Sequence, residues 1–215
     1  MSNSKTFTPT PPPFDLKPEF EELMPDTAGG NVIAHNKILE RLLEQLTYID
    51  FREQAGIDTD DKLQKKHFLV CAIEHILNIA HSNNWSLCRN ADFIYIYNGA
   101  YWSNISSEEM QLFLGMAAEK IGVEKFDARH YVFREQLYKQ FLATAHMPKP
   151  EPPDNAVFVN LKNGTFEISQ TNRILRAPDN ADFITYQLPF EYNSQAKAPM
   201  FEAYLNRVQP DKANQ

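Results

Sequence analysis

Between residues 31 and 147 the apolar positions recur mostly three and four apart, the spacing of one face of a helix; from Val157 onward they fall at every second position, as on a strand. Ile33, Ile38, Leu39, Leu42, Leu43 and Leu46 predict a first helix, with Asn31 able to cap it. A second helix is predicted over residues 61 to 82, where Leu63, Phe68, Leu69, Ala72, Ile73, Ile76, Leu77 and Ile79 share a side and Asp60 or Asp61 can satisfy the first amides. Residues 92 to 97 alternate, Asn98-Gly99 is a strong turn signal, and Tyr101-Trp102 return antiparallel, so an aromatic hairpin follows. Ser106 with Glu109 three residues later makes a capping box and opens a helix through Met110, Phe113, Leu114, Ala117 and Ile121 that stops near Gly122. A fourth long helix is predicted over residues 128 to 145, turning Val132, Phe133, Leu137, Phe141 and Leu142 inward.

Pro148, Pro150, Pro152 and Pro153 forbid further helix and predict a linker over residues 148 to 156. Beyond it, Val157 to Ile168 predict a hairpin, and a short helix is expected around Met200 to Val208. The expected class is therefore α+β: a helix-rich domain with an embedded aromatic hairpin (31–147), the linker, then a small antiparallel β unit and an exit helix (157–215). Residues 1 to 30 carry Thr8-Pro9-Thr10-Pro11-Pro12-Pro13 and the run Glu19-Phe20-Glu21-Glu22, with no periodic apolar face. Such a segment cannot offset its ordering entropy and is expected to be a flexible acidic arm.

Composition supports a sizeable core, with 43% hydrophobic residues and 12% aromatics in 215. No apolar run approaches the ~18 residues of a membrane helix and no signal region opens the chain, so a cytoplasmic location without membrane contact is expected. Two cysteines, Cys71 and Cys88, are too few for a disulfide scaffold and are expected as buried thiols. The net charge of −7 argues against nucleic acid until its distribution is considered. Residues 1 to 61 hold 5 basic and 12 acidic residues, while residues 62 to 150 hold 10 and 8. The excess acid lies at the N-terminal end, which leaves the body free to carry a basic patch.

Four constellations could carry chemistry. His67, Cys71 and His75 lie four apart on the second predicted helix, but positions eight apart rise ~12 Å, whereas zinc ligand atoms sit ~2.0–2.3 Å from the metal. No metal site is assigned. Asp58, Asp60 and Asp61 could hold divalent ions for phosphoryl transfer if they projected from a strand; they fall between loop and helix, where capping explains them. Lys62, Lys65, Lys66, Arg89, Arg129, Arg134 and Lys139 are the candidate DNA contacts, centred on the Lys62 to His67 turn with Arg129 and Arg134. Among the hairpin rings, Tyr101 and Trp102 are the candidates for stacking on bases, most of the rings being expected in the core.

The ordered series from Trp85 to Asp211 resembles a replication module. Ile94-Tyr95-Ile96-Tyr97-Asn98-Gly99-Ala100-Tyr101-Trp102, the hairpin Val159-Asn160-Leu161-Lys162-Asn163-Gly164-Thr165-Phe166, the run Gln187-Leu188-Pro189-Phe190-Glu191-Tyr192 and the helix around Met200 to Val208 are similar to those ahead of the superfamily 3 helicase in the phage and plasmid primase family and in poxvirus-type primase-helicases. The resemblance implies an accessory N-terminal domain of a phage or mobile-element primase-helicase. It implies single-stranded or forked DNA and other copies of the parent protein in a ring as partners. ATP and magnesium would belong to the parent's helicase, because none of the seven glycines here opens a Gly-Lys-Ser or Gly-Lys-Thr phosphate loop. No catalytic residue or cofactor is assigned to this chain, and an assembly module without DNA contact is the alternative reading.

Overall fold

The computed structural model describes residues 32–148, 156–171 and 173–208. The arm expected over 1–30, the cap expected at Asn31 and residues 149–155 of the expected linker lie outside them. Seven helices and two three-stranded antiparallel sheets make up the described residues, an α+β fold as the residue pattern implies.

Helix α1 (His35–Gln45) turns Ile38 and Leu42 inward, and Leu46 continues that buried row. A single turn, α2 (Phe51–Gln54), was not evident from periodicity; it is held by Asp50, whose carboxylate accepts from the amides of Arg52 and Glu53 at 2.8 and 3.3 Å. Helix α3 (Lys65–Ser82) begins later than expected and is not capped by Asp60 or Asp61. The Arg52 guanidinium donates to the carbonyls of Asp58 and, at 2.7 Å, Asp61, which pins residues 58–61 as a loop. The first turn of α3 is closed instead by His67, whose Nδ1 accepts from the Gln64 amide at 3.1 Å.

Strand β1 (Ser86–Asn90) adds to the expected hairpin of β2 (Phe93–Tyr97) and β3 (Trp102–Ile105), giving the order β1-β2-β3 with Tyr97 opposite Trp102. The connection is thus four residues long, and Asn98 organises it: its Oδ1 accepts from the amides of Ala100 and Tyr101 at 3.0 Å each. Alternation gives the sheet two buried faces. Leu87, Ile94 and Ile96 join the helical core, whereas Cys88, Tyr97 and Trp102 form a second cluster covered by Tyr95, Met147 and Phe183.

The capping box of α4 (Ser107–Ile121) is present: the Ser106 hydroxyl accepts from the Glu109 amide at 3.1 Å, and the Glu109 carboxylate accepts from the Ser106 amide at 3.3 Å. The helix expected over 128–145 is two helices, α5 (Lys125–Arg129) and α6 (Tyr131–Thr144). His130 adopts an extended backbone between them and serves as the end of one and the start of the other. Helices α1, α3, α4 and α6 pack around one core containing Ile38, Leu42, Ile73, Ile76, Phe113, Leu114, Leu137 and Phe141.

The second sheet comprises β4 (Ala156–Leu161), β5 (Gly164–Ser169) and an unexpected third strand, β6 (Arg173–Arg176), in that order. It meets the first sheet through polar contacts. Asn160 Nδ2 donates to the Ala100 carbonyl at 2.9 Å, the Trp102 amide donates to Ile184 O at 2.8 Å, and Trp102 Nε1 donates to Asn180 O at 2.9 Å. The last described element is α7 (Pro199–Val208), whose residues are all exposed.

Candidate nucleic-acid interface

The seven basic candidates separate into two groups once the helices are packed. The N-terminus of α3 lies against α6, and Lys65, Lys66 and Leu69 from one helix with Gln136, Lys139 and Gln140 from the other line an open groove of about 470 Å³. Lys65 Nζ stands 5.6 Å from the centre of the Phe133 ring, which orients it by cation–π attraction. Lys62 precedes α3 by three residues and is exposed. Among the described residues no acidic side chain pairs with Lys62, Lys65 or Lys66, while Lys139 meets Glu135 at 2.8 Å in an exposed pair. An ion pair so wetted holds its lysine weakly.

The three arginines are engaged elsewhere. Arg129 makes a bidentate pair with Glu119, Nε to Oε2 and Nη2 to Oε1, both at 2.8 Å, and this hydrogen bonding holds the Glu119 carboxyl below its ordinary range. Arg134 lies across α4, passing over Gly115, where a Cβ would meet its Nε at 2.6 Å, and Nε donates to Ala128 O at 3.3 Å. Arg89 donates to Ala91 O at 2.9 Å on the β1–β2 turn. The groove is thus a lysine feature with glutamine walls. Gln136 and Gln140 were not singled out from sequence, although Gln136 lies three residues before Lys139 and four before Gln140, within reach of both on α6.

Trp102 is 2% exposed and its indole is enclosed by Tyr97, at 5.3 Å between ring centres, and Phe183, at 5.5 Å. It presents no face on which a base could stack. Tyr101 is half-buried, with its ring edge-on to His35 at 4.5 Å. The rings most exposed among the described residues lie elsewhere, at Tyr48, Phe126 and Tyr131.

Of the possible metal-ligating helix residues, His67 is occupied by the α3 cap, burial lowers the pKa of His75, and burial followed by the charge of Glu74 raises that of Cys71. Burial also pushes the Cys88 thiol up to about 12. A thiol with that pKa is ionised to only about one part in ten thousand at pH 8, and the thiolate is the reactive form. In the native protein neither Cys71 nor Cys88 is therefore expected to react with a disulfide reagent at pH 8, whereas two equivalents should react in 8 M urea. Rapid native labelling of either thiol would contradict this burial.

The asparagines of the second hairpin hold the run that follows it. Asn160, fully buried, donates from Nδ2 to Tyr186 O as well as Ala100 O, both at 2.9 Å, and its backbone carbonyl accepts from the Leu188 amide at 2.9 Å. Asn163 clasps Tyr192 from both sides: Nδ2 donates to Tyr192 O and Oδ1 accepts from the Tyr192 amide, each at 2.9 Å. Gln187 Nε2 donates to Leu161 O at 3.1 Å and the Lys162 amide to Phe190 O at 3.1 Å. These hairpin and Gln-Leu-Pro-Phe residues therefore share one structural task, laying residues 186–192 along β4. Beside them Arg176 bridges Asp182 at 2.8 Å and Glu167 at 2.9 Å, with its guanidinium 4.9 Å from the Phe158 ring centre. Hydrogen bonding to Asp182 raises the pKa of that arginine further, and the Tyr97 hydroxyl is pushed up to about 12 by burial and then by Asp179 and Asp182.

Among the described residues no helix is long and apolar enough to cross a membrane. Comparison with the curated proteins gives no match. The family profile described as D5 N terminal like matches residues 74–210, which takes in the second half of α3, both sheets and α7.

Proposed function

The chain belongs to the D5 N terminal like family, the N-terminal, pre-helicase domain of phage- and plasmid-type primase-helicases, and on that premise we propose that it contacts single-stranded or forked DNA through the groove between α3 and α6. What carries the reading is the grouping of Lys65, Lys66 and Lys139 around one groove, two of them without an acidic partner among the described residues. Lysine is a flexible point charge that follows a phosphate backbone without reading bases. The contact would accordingly be weak, indifferent to sequence and sensitive to salt. In a ring, several such contacts would add through effective concentration. ATP and magnesium would serve a helicase domain and not the residues of this chain.

The test replaces Lys65, Lys66 and Lys139 by Glu and follows anisotropy of labelled oligonucleotides, single-stranded and forked, over a salt series. Each lost phosphate contact on a single strand removes about 0.7 from the slope of log K against log salt, so the triple variant should lose about 2 in slope and more than tenfold in affinity. Unchanged affinity and slope in a variant with the native circular dichroism spectrum would overturn the proposal.

A second reading, a module that assembles copies without touching DNA, is favoured by a different observation. Met200, Phe201, Tyr204, Leu205 and Val208 form an exposed apolar stripe on α7, with Met200 87% exposed, and Val157 and Phe190 are also open on the second unit. Light scattering on a Phe201→Glu/Leu205→Glu variant separates the two readings, since charging α7 should lower the particle mass only if that face assembles copies.

A further inference from the structure

We propose that Phe126 and Tyr131 form a stacking platform for the bases of a single strand whose phosphates lie in the lysine groove. The inference rests on the DNA-binding reading and adds to it a second kind of contact, from residues outside the basic candidates. Phe126 is 78% exposed and Tyr131 72% exposed, in contrast to the enclosed ring of Trp102. An isolated exposed ring is common on a protein surface and calls for no explanation. These two lie within one turn of His130. Phe126 and His130 are four apart, one turn of α5 into its C-cap, and the His130 and Tyr131 rings lie 4.9 Å between centres at an interplanar angle of 37°.

The platform is also continuous with the groove. Tyr131, Glu135 and Lys139 stand at i, i+4 and i+8, a single slanting ridge on α6. Tyr131 therefore lies about 12 Å along the helix from the lysine that lines the groove. The Glu135–Lys139 pair between them is exposed and readily exchanged for a phosphate.

A single strand fits this surface better than a protein does. Lys125, Asp127 and Arg129 interrupt the rings, so no contiguous apolar patch of the size a protein interface uses is formed. A base needs only a π-face and a nearby cation, and stacking on an aromatic side chain tolerates every base. That tolerance agrees with the sequence-indifferent contact expected of lysines.

The experiment compares F126A/Y131A with K65E/K66E/K139E in the whole chain, using labelled oligothymidine and a blunt duplex of equal length. The ring variant should lose about tenfold or more in affinity for the single strand, with the salt slope and duplex affinity unchanged and a native melting temperature. F126W/Y131W should retain single-strand affinity. If the ring variant binds oligothymidine like the wild type while the lysine variant does not, the platform is overturned and the groove reading stands. If the wild type binds no strand at all, both fall. If the ring variant keeps its affinity but changes particle mass in light scattering, the rings serve a protein contact and the platform is again overturned.

Discussion

Gly164→Ala is expected to destabilise the second sheet by about 2–5 kcal/mol, a large share of the total stability of a domain. Gly164 has φ +141°, a region that residues with a Cβ rarely enter. A Cβ built there would stand 2.4 Å from the carbonyl oxygen of Arg176 on the neighbouring strand and 3.3 Å from Leu175 Cδ1. The nearest atom belongs to the backbone of a paired strand, with Thr165 opposite Arg176, so relief requires β5 and β6 to part. Parting them would also move Arg176, and with it the bridges to Glu167 and Asp182. Urea unfolding followed by circular dichroism measures the effect; a midpoint equal to that of the native chain would show that the strands yield without cost.

Trp102→Ala is expected to cost about 3–5 kcal/mol, the range for removing a large ring from a packed core. The loss combines the contacts with Tyr97 and Phe183 and the hydrogen bond from Nε1 to Asn180 O. Its signature should be local as well as global, because Cys88 belongs to the same cluster. The variant should expose Cys88 to a disulfide reagent at pH 8 under conditions where the native thiol is silent. Trp102→Phe keeps most of the ring and should keep the thiol protected. If Trp102→Ala leaves both the stability and the Cys88 labelling rate unchanged, the second unit is not held in place through this indole.

Elements marked by a local device were legible in the residues. The Ser106–Glu109 capping box opens α4, and the hairpin expected over Val157 to Ile168 forms, closing on Lys162-Asn163 with Leu161 opposite Gly164. Elements that exist because something distant pairs with them were not. Ser86–Asn90 has no strand-like alternation of its own and becomes β1 by pairing with β2; Arg173–Arg176 becomes β6 only against β5. The break at His130 carries neither glycine nor proline and so gives no warning. The cap of α3 uses Gln64 and His67 where clustered aspartates looked better suited.

The candidate interface follows the same division. Lys65 and Lys66 lie side by side at the start of α3, but their company with Lys139 depends on how α3 meets α6, which no spacing within one helix reveals. Arg129 and Arg134 looked equally available, yet Glu119 takes one and the path cleared by Gly115 takes the other. For Trp102, alternation showed two apolar faces on the hairpin; the cover on its second face comes from Asn180 and Phe183, some eighty residues onward.

The double clasp of Asn163 on Tyr192 has a mechanical consequence. It fixes the last backbone point before α7 by two hydrogen bonds to one residue, independently of which side chains that run presents outward. Six residues then lead to Pro199, and the seven Cα-to-Cα steps span at most about 25 Å. Tyr192 is therefore a mooring and residues 193–198 a short leash. Whatever α7 engages is kept within that radius of the β4–β5 turn, at an effective concentration on the order of millimolar. Cutting the clasp would lengthen the leash without touching the helix itself.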